Sequence, residues 1–378
     1  MANVAKEDIK VDFDRSILAV SNSILNHFNV SPKYKTLKEL DNVLDKNYKN
    51  VVYMIVDCLG TSILNKHLSK DSFLRKNVVV DISTVFPPTT ASATTTFHSG
   101  LPPVSTGWLG WSNYFPQYDK VIENFLNTDL YTGKPIGYPS VSETILKYKS
   151  IYEQILESNK DIEYHKVFPP FDKNGVKSFE QMCERIADIV STSNNKKIIS
   201  AYWNEPDHSI HRLGVNSAEV SKIINDINIQ IEFLASKLQD TVVIICADHG
   251  GIDIENISLN NYPSIYKTFE KLPAIEGRCL SFFIKKNEHK IFSHEFNKYF
   301  GEEFLLYTKK EFLTTNLFGV GNNHPNFDDF IGDFIAVAVG NKVLQYSTGE
   351  RENTNFKANH AGFTPDEMNV SLIIIECK

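Results

Sequence analysis

Long apolar runs are missing from this chain of 378 residues. None approaches the roughly 20 residues that a membrane-spanning helix needs. The N-terminus, MANVAKEDIKVDFDR, also lacks the apolar stretch of an export signal. The expectation is a soluble, cytoplasmic protein with no membrane partner. Positive charge is short as well: 39 Lys and Arg against 46 Asp and Glu leave a net charge of -7. That balance argues against a footprint for a nucleic-acid polymer but leaves room for a small anionic substrate held through metal. Cysteine is sparse and scattered, with Cys58, Cys183, Cys246, Cys279 and Cys377 forming no CxxC pair. Neither a disulfide framework nor a thiolate zinc site follows from that spacing. Most of the five adjoin apolar strands, where a free thiol packs as a small hydrophobe, in keeping with a reducing compartment. Internal repeats and low-complexity tracts are absent too, so residues 1–378 read as one large α/β domain.

What is present begins with Val51–Gly60, VVYMIVDCLG, an apolar run that ends in one aspartate and a turn. The run is too short for an independent helix and reads as a strand covered on both faces, with Asp57 just past its carboxyl end. Ligands of open α/β sheets gather beyond such ends, although an isolated Asp there equally serves as a helix cap. The pattern recurs. Lys197–Asp207 (KIISAYWNEPD) and Thr241–His249 (TVVIICADH) each run from apolar residues into an acid, with a histidine there or just beyond. Asp207 and His211 are four apart and share a helix face; Asp248 and His249 are adjacent; His360 lies in NHAGFTPDEMNV before an apolar terminal strand. Each histidine taken alone is as well explained as a satisfied core residue. Together, three Asp and three His make a mixed N and O donor set sufficient for two zinc-like ions.

Between the strand at Val78–Ile82 and Gly107 lies STVFPPTTASATTTFHSGLPPVSTG. Pro87 and Pro88 force an extended entry, and from Thr90 no breaker occurs before Gly100, so Thr89 or Thr90 stands at a helix N-terminus. Such a threonine either caps the helix or offers a hydroxyl where free N–H groups favour a phosphate. Residues 107–150 read as a substrate-side loop whose Trp108, Trp111, Tyr114 and Phe115 either pack or stack on a base. Amphipathic helices over Val176–Val190 and Ala218–Leu238 alternate with the strands, which predicts a central, mostly parallel sheet flanked by helices. Residues 255–325 predict a small inserted α+β cap lobe, after which Phe334–Val339 and Val370–Ile375 are expected to rejoin the core.

The segments VDCLG, FPPTTASATTTFHSGLPP, PDHSIH, ADHGG and NHAG occur in one order from Asp57 to His360. In that order they resemble the type I phosphodiesterase and nucleotide pyrophosphatase family of the alkaline phosphatase superfamily. The resemblance implies an alkaline-phosphatase-like fold. It implies one divalent ion held by Asp207, His211 and His360 and another by Asp57, Asp248 and His249, zinc in the first place and manganese as an alternative. It also implies that Thr90, which touches the metals, is the nucleophile, because relatives place it ten residues before the glycine closing the helix; Thr89 is the fallback. Thr90 would attack phosphorus to give a phospho-threonine, with the Ala91 N–H placed to hold a phosphoryl oxygen.

Two departures stand out. Trp111 occupies the place where many relatives carry a phosphate-contacting asparagine, and Asn113 follows two residues on. Residues 82–119 contain no Lys or Arg, which favours diesters over monoesters, with Arg212 as the nearest cation in sequence to a ligand. The Cys/Ser-x-Pro-x-Arg signature of sulfatases is absent. The expected substrate is a small phosphodiester, phosphoanhydride or nucleotide. A phosphonoacetate-type hydrolase, a phosphomonoesterase and a non-catalytic metal scaffold are the alternatives.

Overall fold

The computed structural model describes residues 4–378. Its centre is a six-stranded sheet in the order Val78–Ser83, Asn369–Cys377, Thr241–Cys246, Asn50–Val56, Lys197–Trp203 and Glu163–Val167. The four strands from Thr241–Cys246 to Glu163–Val167 run parallel, and the C-terminal strand returns antiparallel between Thr241–Cys246 and Val78–Ser83. Asn50–Val56 and Thr241–Cys246 are buried along their whole length, as a parallel strand covered on both faces must be. Register then sets the chemistry. Val56 lies opposite Trp203 and Ile55 opposite Cys246, so Asp57, Asp207 and Asp248 leave the sheet at one end. The expected central sheet is mostly parallel and flanked by helices, as observed.

Helix Thr90–Ser99 lies across this end of the sheet and is held from behind by helix Ile17–His27. Ser21 Oγ donates to the Phe97 carbonyl at 3.0 Å, and Asn22 Nδ2 donates to that of Gly100 at 3.2 Å. Ser16 starts Ile17–His27 by accepting the Leu18 N–H, and Gly100 ends Thr90–Ser99 in the left-handed conformation at φ 68°. Tyr53 of the central strand meets Phe97 edge-on at 5.3 Å. The nucleophile candidate thus stands on an element fixed to both the sheet and the N-terminal segment.

On the same helix the half-buried His98 sits between Phe168 and Tyr152, its Nε2 buried without a partner. Burial, helped by the nearby Lys166 charge, lowers its pKa from 6.5 to about 4. A group depressed in the folded state stabilises fully above its unfolded pKa and loses that contribution as pH falls through the folded one. Between pH 6.5 and about 4 the protein should therefore lose up to about 3 kcal/mol that a His98→Phe variant keeps. Urea titrations at the two pH values measure this, and parallel losses in both proteins would refute it.

A second sheet of seven strands packs beside the first, in the order Phe304–Thr308, Phe334–Ala338, Cys279–Ile284, Phe269–Glu276, Ser112–Phe115, Lys120–Glu123 and Thr128–Asp129. Its pairings are antiparallel. Residues 255–325 supply three of these strands. The others come from segments expected elsewhere: the 107–150 region folds into three short edge strands, and Phe334–Ala338 joins this sheet instead of the central one. Alternating burial at a sheet edge and full burial at its centre are hard to assign to one sheet or another from a five-residue apolar run. Helix His289–Phe300 covers the far face through Phe292, Phe296 and Phe300. Among the described residues no helix is long and apolar enough to cross a membrane.

Candidate active site

Three histidines and three aspartates converge where the parallel strands end. Asp207 opens helix Asp207–Leu213, and its Oδ2 lies 3.3 Å from His211 Nε2 one turn on, while its Oδ1 lies 3.9 Å from His360 Nε2. Asp57 Oδ1 and Asp248 Oδ2 lie 3.4 and 3.6 Å from His249 Nε2. In each triad the donor atoms fall within 4.8 Å of one another. The His249 and His360 rings stack at 3.8 Å, so the two triads share a wall. Cys58 Sγ also lies within 4.8 Å of Asp207 and His249.

Backbone groups orient every imidazole. Nδ1 of His211, His249 and His360 faces the carbonyls of Ala358, Gly250 and Pro88 at 2.8, 2.9 and 3.1 Å. With Nδ1 committed, Nε2 of each ring points into the site, the arrangement by which ligating histidines are fixed. The carboxylates are held on one oxygen each. Asp248 Oδ1 accepts the Cys58 and His249 N–H groups at 3.1 and 3.0 Å, and Tyr202 donates its hydroxyl to Asp57 Oδ2. Asp57 Oδ1, Asp207 Oδ1 and Asp248 Oδ2 are buried without a partner. Leaving an ionised oxygen so placed is costly unless a cation meets it. These orphaned oxygens and outward Nε2 atoms fit two divalent ions.

Close backbone approach makes this packing possible. A Cβ on Gly250 would sit 1.9 Å from the Asp366 carbonyl oxygen, so the ADHGG turn can press against the segment after His360 only as glycine. Asn359 pairs with Ile252, tying the ADHGG and NHAG segments edge to edge.

The electrostatics carry the same message. Burial, then Asp248 and Asp207, push the Asp57 carboxyl well up, and burial likewise raises Asp248 to about 7. Burial acts most strongly to raise Asp207, but the charge and hydrogen bond of His211, with the charges of His360 and His249, together outweigh it and hold that carboxyl below the usual range. His211 in turn is disfavoured by burial yet raised to about 9 by Asp207. Burial, with His249 next, takes His360 well below 6.5. Carboxyls forced toward protonation beside a neutral imidazole form a pocket that gains from added positive charge.

Thr90 is the first residue of its helix, and its partly exposed Oγ1 lies 3.2 Å from His249 Nε2. Thr89 holds the cap position without capping: it is buried, and its hydroxyl donates to Glu276 Oε1 at 2.7 Å. Of the two hydroxyls, Thr90 faces the histidine–aspartate cluster. The Ala91 methyl is buried in the second core, and its N–H belongs to the first turn, where no helical carbonyl is in reach.

A cavity of about 450 Å³ opens over Thr90, Asp207, His211 and His360 and extends to the second sheet, where Trp111, Glu276, Glu123 and Arg351 line it. Trp111 lines it, as does Tyr131, whereas Trp108 and Phe115 pack. Trp108 is buried with Nε1 on the Leu146 carbonyl, and Phe115 is buried against Phe330. Asn113 is not brought to the site. It is fully buried, and its Nδ2 donates to the Gly107 carbonyl at 2.7 Å, holding the turn before the edge strands. Arg212 is exposed and outside the cavity lining, and His324 supports loops, facing the Ile145 carbonyl at 2.9 Å. Sequence reasoning passed over Tyr202, Glu276, Glu123 and Arg351.

A family model for type I phosphodiesterase / nucleotide pyrophosphatase matches residues 51–363. The chain belongs to that family. Its members are metal-dependent hydrolases acting on phosphodiester bonds. A human relative, ectonucleotide pyrophosphatase/phosphodiesterase family member 5, is 33% identical over 103 residues, 24% of this chain and 20% of its own length. This chain thus matches about a fifth of that protein. Solved structures of murine and human ectonucleotide pyrophosphatase/phosphodiesterase 5 share the fold. The murine one superposes with a TM-score of 0.64 at 16% identity over 85% of this chain and 87% of that one. The human one gives 0.66 at 15% identity over 86% and 87%. An inactive murine Thr-to-Ala form was solved in complex with AMP.

The donor set makes a thermodynamic prediction independent of turnover. Chelator-treated protein should melt at a lower temperature than protein with zinc at about 100 times its dissociation constant, a difference near 2.7 kcal/mol. Differential scanning fluorimetry reads it, and Asp57→Asn should shrink the zinc-induced shift. Equal melting with and without zinc would refute the fit.

Proposed function

We propose that the protein is a two-metal phosphodiesterase or nucleotide pyrophosphatase that works through a covalent phospho-threonine on Thr90. The observation that carries the reading is the Thr90 hydroxyl, accessible at a helix N-terminus and 3.2 Å from His249 Nε2, in front of two aspartate–histidine triads with orphaned oxygens. Asp207, His211 and His360 would hold one ion, and Asp57, Asp248 and His249 the other. Zinc suits this donor set best, with manganese the alternative. Such ions supply Lewis acidity toward a phosphoryl oxygen and toward the threonine hydroxyl.

The chain's own part is placement. Thr90 Oγ forms the new bond to phosphorus as the ester oxygen departs opposite it, and water then cleaves the phospho-threonine. The Thr90 and Ala91 N–H groups offer donors to a non-bridging oxygen. The cavity's size suits a nucleotide monoester portion, and the AMP held by the murine relative supports a nucleotide as occupant. The test is paired: zinc-loaded protein is given 4-nitrophenyl thymidine 5′-phosphate and 4-nitrophenyl phosphate. Nitrophenol release from the diester at more than ten times the monoester rate is expected. Cleavage of neither overturns the reading, and phosphate release from phosphonoacetate instead would select a phosphonate hydrolase.

A further inference from the structure

The cavity's charges are unevenly distributed beyond the two triads. Glu276 ends the strand Phe269–Glu276 and stands beside the nucleophile: its Oε1 accepts the Thr89 hydroxyl and the Trp111 N–H, both at 2.7 Å. Those contacts fix the carboxyl between the residue preceding Thr90 and the residue where a phosphate-binding amide would be expected from the sequence. Burial pushes this carboxyl up, while the Thr89 hydroxyl and Trp111 amide pull it back. Among the described residues one arginine lines the cavity, Arg351, engaged through Nη1 with Glu123 Oε2 at 2.9 Å and the Leu130 carbonyl at 3.1 Å. Glu123 is itself buried and also accepts from Trp111 Nε1 at 3.0 Å. Glu352 adds a further acid at the rim, and among the described residues no lysine lines the cavity.

A phosphate monoester carries a third charged oxygen where a diester carries a substituent. A fixed carboxylate next to the attack site repels that oxygen and accepts a hydrogen bond from, or attracts, a neutral or cationic substituent. We propose that Glu276 is a specificity-determining residue: it restricts this site to singly charged phosphodiesters whose second substituent is neutral or cationic, and disfavours monoesters and polyphosphates. The inference rests on the phosphodiesterase reading above and narrows its substrate class, setting the pyrophosphatase half of that reading aside, because a phosphoanhydride carries an anionic second substituent.

The test uses two esters with one leaving group, methyl 4-nitrophenyl phosphate and 4-nitrophenyl phosphate, at pH 8.5 on zinc-loaded protein. Glu276→Gln keeps an oxygen for Thr89 and Trp111 and removes the charge. It should raise the monoester-to-diester ratio of kcat/KM by about tenfold, equivalent to about 1.4 kcal/mol. An unchanged ratio, including one in which both rates fall together, overturns the inference and leaves the phosphodiesterase reading standing. A wild-type protein inert to both esters overturns that reading, and this one with it. A second comparison needs no variant: wild-type enzyme should cleave 2-aminoethyl 4-nitrophenyl phosphate about tenfold more efficiently than the 2-carboxyethyl ester, and equal or reversed efficiency refutes the proposal.

Discussion

Thr90→Ala protein is expected to lose turnover of 4-nitrophenyl thymidine 5′-phosphate by at least about a thousandfold while its metal content and melting temperature stay near wild type. The size follows from the role: removing a covalent nucleophile has cost about 10⁶ in kcat where it has been measured in a protease. The specificity of the effect follows from the geometry. Thr90 contributes a hydroxyl to the surface of the site, whereas the orphaned oxygens belong to Asp57, Asp207 and Asp248. Thr89→Ala is the companion. Its hydroxyl is turned to Glu276, so that variant should retain turnover within roughly a hundredfold, the scale of one lost hydrogen bond to a carboxylate. Inductively coupled plasma analysis and single-turnover kinetics on both variants decide the matter; an active Thr90→Ala protein removes the covalent mechanism.

The second large effect lies away from the cavity. Arg278 is completely buried, and its guanidinium forms two bonds to Glu367 at 2.7 and 2.8 Å and one each to the Gly340 and Lys342 carbonyls at 2.8 Å. Glu367 in turn accepts the Gly362 N–H at 2.7 Å, two residues after His360. A Cβ on Gly362 would lie 2.5 Å from Arg278 Nη2, so the fourth residue of NHAG has to be glycine for the pair to close. Breaking such a pair strands a charge in the interior, and Arg278→Ala or Glu367→Ala should destabilise by about 3–5 kcal/mol, on the order of 4–6 °C in melting temperature. Because the pair fixes the segment that carries His360, zinc affinity should also fall, by about 10–100-fold for the variants that still fold. Calorimetry with zinc titration measures both, and wild-type affinity in a destabilised variant would separate the pair from the site.

How far the residues alone led can be judged from particular segments. Asp57, Asp207, His211, Asp248 and His249 were legible because each terminates or follows an apolar run, and parallel register brings such ends to one end of a sheet; His360 was legible only from the polar NHAG segment before the terminal strand. Thr90 was legible only as one of two; the Thr89 hydroxyl turns to Glu276 on a distant strand, and the Thr90 hydroxyl lies 3.2 Å from His249 Nε2. Glu276 and Arg278 left a trace in LPAIEGRCLSFF, two opposite charges in an otherwise apolar hairpin. Nothing local says that one faces a cavity and the other Glu367, since those partners lie 89 residues or more away in sequence. Beyond the edge strands the chain forms two short helices, Val141–Thr144 and Ile151–Ser158, each opened by its own Ser and Glu capping box.

The second sheet has a consequence for inheritance and for engineering. Its seven strands are drawn from residues 112–129, 269–284 and 304–338, with the catalytic strand ends of 197–203 and 241–246 lying between the first two groups in the chain. No single pair of cuts would release it, and no single graft would replace it with a relative's. Yet Asp57, Asp207 and Asp248 follow strands of the other sheet, so drift in this one can re-shape the cavity without disturbing the aspartates of the two triads. If the cavity takes the proposed substrate, new selectivity in this scaffold is to be sought by point substitutions at lining positions such as 111, 123 and 276, dispersed along the gene, and not by module exchange.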